Sequence, residues 1–147
     1  MASKKRVGAA ELGIDLGDPS DAELFRWLVA CNLFGARIRQ ELAASAFREL
    51  DADGIVTPRK LADAEWQHVV DLLGRGHYRR YDESTARRLI DVGRLTLERY
   101  DGRLSRLADG VRTKREAAER LQEFPGVGPT AAEIFLRDVW PHWKPKH

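Results

Sequence analysis

Leu121-Gln122-Glu123-Phe124-Pro125-Gly126-Val127-Gly128-Pro129-Thr130-Ala131-Ala132-Glu133-Ile134-Phe135-Leu136 is the stretch whose pattern does not read as generic helix. Pro125-Gly126-Val127-Gly128 permits a tight reversal, because glycine accepts positive φ and lets a ligand or an opposite helix approach the backbone closely. Two short amphipathic helices flank this four-residue hairpin. Pro129 fits the start of the second helix, where its missing N–H would have been an orphan anyway. Val127 is expected to turn inward and plug the space between the helices. The amides near Gly126, Gly128 and the start of the following helix are then left free.

Upstream of the hairpin, period-two alternation with β-branched enrichment is missing, and apolar residues recur at three and four. The expected fold class is therefore all-α, an orthogonal helical bundle with a helix-hairpin-helix element near the C-terminus. A first helix starts at the capping box Ser20-Asp21-Ala22-Glu23 and carries Leu24, Trp27, Leu28 and Cys31 on one face. A second is expected over about Arg37 to Leu50, followed by a turn at Asp51-Ala52-Asp53-Gly54. Thr57-Pro58 opens a short helix to about Asp63, and another runs from about Glu65 to Leu73. The longest, about Glu83 to Arg99, contains Gly93, whose cost of about 1 kcal/mol relative to alanine points to a close helix crossing. Leu104 and Leu107 tuck a polar connection against the body, and a second capping box, Thr113-Lys114-Arg115-Glu116, opens a helix to about Glu123. Residues 20–140 form the expected domain, with 1–19 an N-terminal extension and 141–147 a C-terminal tail.

The chain has 147 residues, enough for one domain with a real core, and its single Cys31 excludes an internal disulfide or a four-thiolate zinc or iron-sulfur site. No apolar run approaches the roughly 18 residues of a membrane span, and the start lacks the uninterrupted apolar segment of a signal peptide, so a cytoplasmic location without membrane contact is expected.

Twenty-five Lys plus Arg against 23 Asp plus Glu give a net charge of +2, which permits a nucleic-acid partner without arguing for one. The distribution says more. Between Arg75 and Arg99 stand seven arginines and four acids. Arg87 to Asp91 and Arg94 to Glu98 have the i,i+4 spacing of self-paired surface charges. Arg75, His77, Arg79 and Arg80 lack such partners and are the better candidates for phosphate contacts. Free amides at a helix N-terminus also bind anions, and the anion most often placed there in a helical domain of this kind is a DNA phosphate. The expected DNA-contact set is Gly126, Val127, Gly128, Thr130, Lys114, Arg75, Arg79 and Arg80. Tyr81, Trp140 and Trp143 are candidates to stack on an exposed base. Asp51 and Asp53 read more cheaply as turn residues than as metal ligands, and His68, His77, His142 and His147 have no ligand spacing.

The hairpin string resembles the helix-hairpin-helix element of the DNA glycosylase superfamily that includes endonuclease III. The resemblance extends over roughly residues 21–140: LFRWLVACNLF is similar to the family's first buried helix, TPRKLADAEWQHVVDLL to its short helix pair, and STARRLIDVGRLTLERYDGRL to the long helix and turn before the hairpin. It implies a six-helix domain holding the hairpin against double-stranded or damaged DNA, in DNA repair, base excision repair above all. In those relatives the hairpin carbonyls often also hold a monovalent cation. The departures are specific. Bifunctional members carry a nucleophilic lysine where this chain has Thr130. The aspartate of monofunctional members, eighteen residues on, would fall at 148, past the last residue here. The glutamine that fills the hole left by a flipped base has no match in Asn32-Leu33-Phe34-Gly35-Ala36, and the four-cysteine iron-sulfur loop is missing, so no cluster is expected. The leading expectation is a DNA-binding protein without catalytic residues. The alternatives are a glycosylase or abasic-site lyase with relocated groups, Lys114 among them, and a protein-interaction module on the same fold.

Overall fold

The computed structural model describes residues 7–145. Seven α-helices follow one another: α1 (Asp21–Phe34), α2 (Gln40–Asp53), α3 (Pro58–Ala62), α4 (Trp66–Arg75), α5 (Asp82–Tyr100), α6 (Lys114–Leu121) and α7 (Pro129–Trp143), with 3₁₀ turns at Ala10–Leu12 and Leu104–Ala108. No strand occurs among the described residues, and the fold is all-α as the periodicity requires.

Helix α1 is the centre of the molecule. From Leu24 to Phe34 every residue except Arg26 is buried, so it is apolar all round rather than along the single expected face. It is enclosed by α2, α5, α7 and the Leu104–Ala108 turn. Ser20 caps it by accepting the Glu23 N–H at 3.2 Å, but the reciprocal half of the expected capping box does not form. The Glu23 carboxylate instead accepts the Asp15 N–H at 2.7 Å and pairs with Arg26, which ties the N-terminal segment to α1. Val7 N–H donates to Gln40 Oε1 at 2.8 Å, and Ala9, Leu12 and Ile14 are buried, so residues 7–19 of the expected extension pack on the bundle. Residues 1–6 of that extension lie outside the described residues.

Helix α2 starts later than expected and runs through the expected turn to Asp53, ending where Gly54 at φ +81° supplies a left-handed cap. Arg26 holds its last turn by donating to both oxygens of Asp51 at 3.1 and 2.9 Å. Thr57 caps α3, accepting the Lys60 N–H at 3.1 Å, with Pro58 in the first turn. Helix α3 then crosses α5 at Gly93. A Cβ there would stand 2.8 Å from both Ala62 N and Pro58 O and 3.1 Å from Leu61 Cβ, which is the close crossing that a mid-helix glycine predicts. Gly93→Ala is expected to lower stability by about 1–3 kcal/mol despite alanine's better helix propensity, because the obstacles are backbone atoms that cannot rotate away. Urea unfolding measures it, and an unchanged or raised midpoint would contradict the crossing.

Leu104 and Leu107 are fully buried, and Asp21 holds their segment by accepting the Ser105 N–H at 2.8 Å. The Thr113/Glu116 capping box at α6 is complete. Helix α7 continues through Pro141 to Trp143, past the point where a tail was expected. Trp143 packs on Phe135 with ring centroids 5.5 Å apart, and that burial carries the helix over the proline. His147 lies outside the described residues. No helix among the described residues is long and apolar enough to cross a membrane.

Candidate functional site at the interhelical hairpin

The chain reverses between α6 and α7 through four short backbone bonds: Gln122 N to Ala118 O at 3.0 Å, Glu123 N to Arg120 O at 3.2 Å, Phe124 N to Leu121 O at 3.1 Å, and Val127 N to Phe124 O at 3.1 Å. Gly126 sits at φ +79°, a conformation that favours glycine, whereas Gly128 at φ −98° and ψ −168° is ordinary extended backbone. Only the first glycine therefore answers to the expectation of positive φ. Val127 is 5% exposed and plugs the interhelical space as expected. Its N–H is taken by Phe124 and its side chain faces the core, so the side chain shapes the hairpin and only the backbone of Val127 is open to a contact. The N–H groups of Gly126, Gly128 and Thr130 donate to no acceptor among the described residues, and all three residues are exposed. Two of these amides lie at the N-terminus of α7, where the helix dipole adds positive potential.

A side chain 93 residues away holds the turn. Asn32, on α1 and 4% exposed, donates from Nδ2 to the Pro125 carbonyl at 2.8 Å. A Cβ on Gly126 would meet Asn32 Oδ1 at 2.7 Å and Nδ2 at 3.0 Å, and on the other side Arg88 Cδ at 3.0 Å. Gly126 is needed twice over, for its φ and for this close approach. The sequence does carry a signal for Asn32, a single amide in the otherwise apolar run Leu28-Val29-Ala30-Cys31-Asn32-Leu33-Phe34. A buried amide in such a run must find a partner.

Arg88 is the site residue that charge patterning missed. It is exposed on α5, passes the hairpin, and has no carboxylate within 4.0 Å among the described residues. The expected pairs Arg87 to Asp91 and Arg94 to Glu98 do not form. Asp91 instead pairs with Arg94 at 3.4 Å, leaving Arg87 and Arg88 free of carboxylate partners among the described residues. Arg75, at the end of α4, and Arg79 and Arg80, on the α4–α5 loop, are exposed, likewise without a carboxylate partner among the described residues. Gly76 seats this loop on α2, since a Cβ there would stand 2.6 Å from Ala46 Cα. Tyr78, buried at the root of the loop, has its hydroxyl 3.4 Å from Thr85 Oγ1. Burial pushes its pKa up, against a smaller downward pull from the Thr85 bond and the Arg88 charge. Loop and hairpin are thus joined along the first two turns of α5, about 10 Å at 1.5 Å per residue from Tyr81 to Arg88.

Lys114 stands off from the hairpin amides but shares a groove with Gln122 and Pro129 at the two ends of the hairpin. As the first residue of α6 it lies at the end of that helix away from the hairpin, about 10 Å from Leu121. There it lines a groove with Ala118, Gln122, Pro129, Glu133 and Leu136. A capping-box lysine must sit at a helix start, and the hairpin is at the helix end. Trp140 and Trp143 are half-buried against the core, which leaves Tyr81 as the accessible aromatic among the three stacking candidates. Asp51 is engaged by Arg26 and Asp53 by His68 at 2.9 Å, and no group of three His, Cys, Asp or Glu able to hold a metal occurs among the described residues. Burial pushes the Cys31 thiol well up, with Asp138 adding to the rise and Arg137 opposing it.

The fold and this site define an all-helical bundle presenting a glycine hairpin with unbonded amides beside unpaired arginines. Endonuclease III of Thermotoga maritima is 29% identical to this chain over 117 residues, which relates the chain to an endonuclease III-like protein. The match takes in 79% of this chain and 47% of that protein, so the chain spans about half the length of the curated relative it matches. No protein-family model matches.

Proposed function

We propose that this chain binds double-stranded or damaged DNA through the sugar-phosphate backbone, without reading sequence, as part of DNA repair or processing. The hairpin carries the reading: the free amides of Gly126, Gly128 and Thr130 face outward beside the Arg88 side chain, and Asn32 holds the turn ready. Amides and guanidinium groups of this kind position phosphates and carry no sequence information. Arg75, Arg79 and Arg80 extend the positive surface along the same strand, and Lys114 is a more distant contact. A monovalent cation would draw on the hairpin carbonyls, among them those of Gln122 and Val127, which accept no hydrogen bond outside the helices among the described residues.

A second reading, base removal or abasic-site cleavage by relocated groups, is favoured by the similarity to endonuclease III. A protein-interaction module would present a contiguous apolar patch instead. Tyr81 is the one large hydrophobic side chain exposed among the described residues, which speaks for the DNA surface.

A salt titration of duplex binding tests the proposal. Three to five phosphate contacts give a log-log slope of about −3 to −4.5, a loss of roughly 500-fold or more for a tenfold rise in salt. An affinity indifferent to salt, or no binding at low salt, would remove the DNA reading in favour of the interaction module.

A further inference from the structure

Trp27 is 1% exposed, and its Nε1 is the one buried side-chain nitrogen or oxygen among the described residues without a hydrogen-bond partner. A buried N–H left unpaired is costly, and native interiors rarely keep one. Trp27 also lines a small cavity, of about 40 Å³, where four elements meet. Val7 and Gly8 reach it from the N-terminal segment, Gln40 from the start of α2, and Arg137 and Asp138 from α7. The polar groups around it are only half used. Gln40 Oε1 accepts the Val7 N–H at 2.8 Å, while Nε2 of the same amide donates to nothing among the described residues. The Asp138 side chain makes no hydrogen bond or ion pair among the described residues. Its charge nevertheless reaches inward far enough to push up the buried Cys31 thiol.

The volume admits roughly one to three water-sized groups and no ring. Which group fits follows from the donors and acceptors. The indole N–H needs an acceptor, and the Asp138 carboxylate needs a donor. An ammonium group serves Asp138 but not Trp27. A halide or a carboxylate serves Trp27 but faces the charge of Asp138, and the Arg137 guanidinium that could offset it is drawn to Glu133 at 4.0 Å. A hydroxyl serves both, and its second lone pair can accept from Gln40 Nε2.

We propose that this cavity is a hydroxyl-binding site, in which one hydroxyl accepts from Trp27 Nε1 and Gln40 Nε2 and donates to the Asp138 carboxylate. So held, it fastens the N-terminal segment across α1, α2 and α7. The hydroxyl is that of water or of a small alcohol. Gly8 and Asp138 also line an open cleft of about 720 Å³, from which a diol can insert one hydroxyl and keep the rest of the molecule outside. The site shares no residue with the hairpin and does not depend on the DNA reading.

The test reads the indole N–H signal of Trp27 by NMR in the full chain, assigned by its loss in Trp27→Phe and by its contacts to the Phe34 ring, whose centroid is 6.3 Å away. In buffer the indole proton is expected to show a cross-relaxation peak to a long-lived water. Added ethylene glycol separates the two sources: an alcohol site replaces that peak with peaks to the glycol methylenes, and a site for water alone keeps it. Asp138→Ala is expected to remove the peak and to speed indole hydrogen exchange about tenfold, the worth of one hydrogen bond, while Asp138→Asn, which keeps an acceptor oxygen, retains both. Sodium formate should leave the indole shift unchanged. No peak to either water or glycol overturns the proposal, and so does a peak that survives unchanged in Asp138→Ala. A saturable shift with formate overturns it in favour of an anion.

Discussion

Gly126→Val is expected to lower stability by about 2–4 kcal/mol and DNA affinity by more than tenfold, whereas Gly128→Val lowers affinity and leaves stability within about 1 kcal/mol. At Gly126 two costs combine. A β-branched residue is forced into left-handed backbone at φ +79°, and its Cβ would sit 2.7 Å from Asn32 Oδ1. Asn32 must move, which breaks its bond to the Pro125 carbonyl and leaves a buried amide unpaired. At Gly128 the backbone is extended and a Cβ meets nothing within 4 Å, so a valine there folds without strain and obstructs only a ligand approaching the start of α7. The two glycines of one motif thus separate by mechanism, one structural and functional, the other functional alone. Urea unfolding and anisotropy titrations on the same samples check this, with circular dichroism confirming that the variants are folded. A Gly126→Val protein as stable as wild type would refute the Asn32 clamp. A folded Gly128→Val protein binding as tightly as wild type would take the phosphate away from the hairpin. Arg88→Ala supplies the electrostatic counterpart: it should reduce the salt slope by about one contact, while Arg87→Ala, farther from the hairpin, changes it less.

What was legible in the sequence is what is decided within a few residues. Ser20, Thr57 and Thr113 cap their helices because the hydroxyl, the backbone N–H it serves and the helix start are all local. Gly93 marked a crossing and Val127 an inward plug for the same reason, since each reports the space at its own position. The failures share the opposite property. Asn32 and Pro125 are 93 residues apart, and no local rule pairs them. The i,i+4 spacings on α5 suggest ion pairs, yet such pairs are worth about 0.3–0.5 kcal/mol on an exposed helix, too little to dictate a rotamer. Glu23 had the right spacing for a reciprocal cap and was drawn instead to Asp15 and Arg26.

Thr130→Lys is expected to create a borohydride-trappable adduct with abasic DNA that wild type does not form. Thr130 is exposed in the first turn of α7, its N–H unbonded, where a phosphate held at Gly126 and Gly128 would bring the sugar near. A lysine there lies at the positive end of the α7 dipole, which disfavours the ammonium form and raises the fraction of neutral amine. In the trapped reaction Nζ adds to the C1′ aldehyde carbon, water leaves to give the iminium, and hydride from borohydride reduces it to a stable amine. The rate should stay orders of magnitude below that of an evolved lyase, because placement supplies proximity but nothing for the charge that develops at the sugar. Glu133, one turn along α7, lines the groove toward Lys114 and is largely exposed, so water screens what its charge could supply. Denaturing gels of wild type, Thr130→Lys and Thr130→Lys with Gly126→Val on one abasic duplex decide the matter. Adduct in the single variant and its loss in the double variant locate the sugar at the hairpin, while equal trapping in both would detach the chemistry from it. A strong adduct with wild type would establish a relocated nucleophile, and its abolition by Lys114→Ala would identify the amine, about 10 Å of helix away from where the hairpin geometry points.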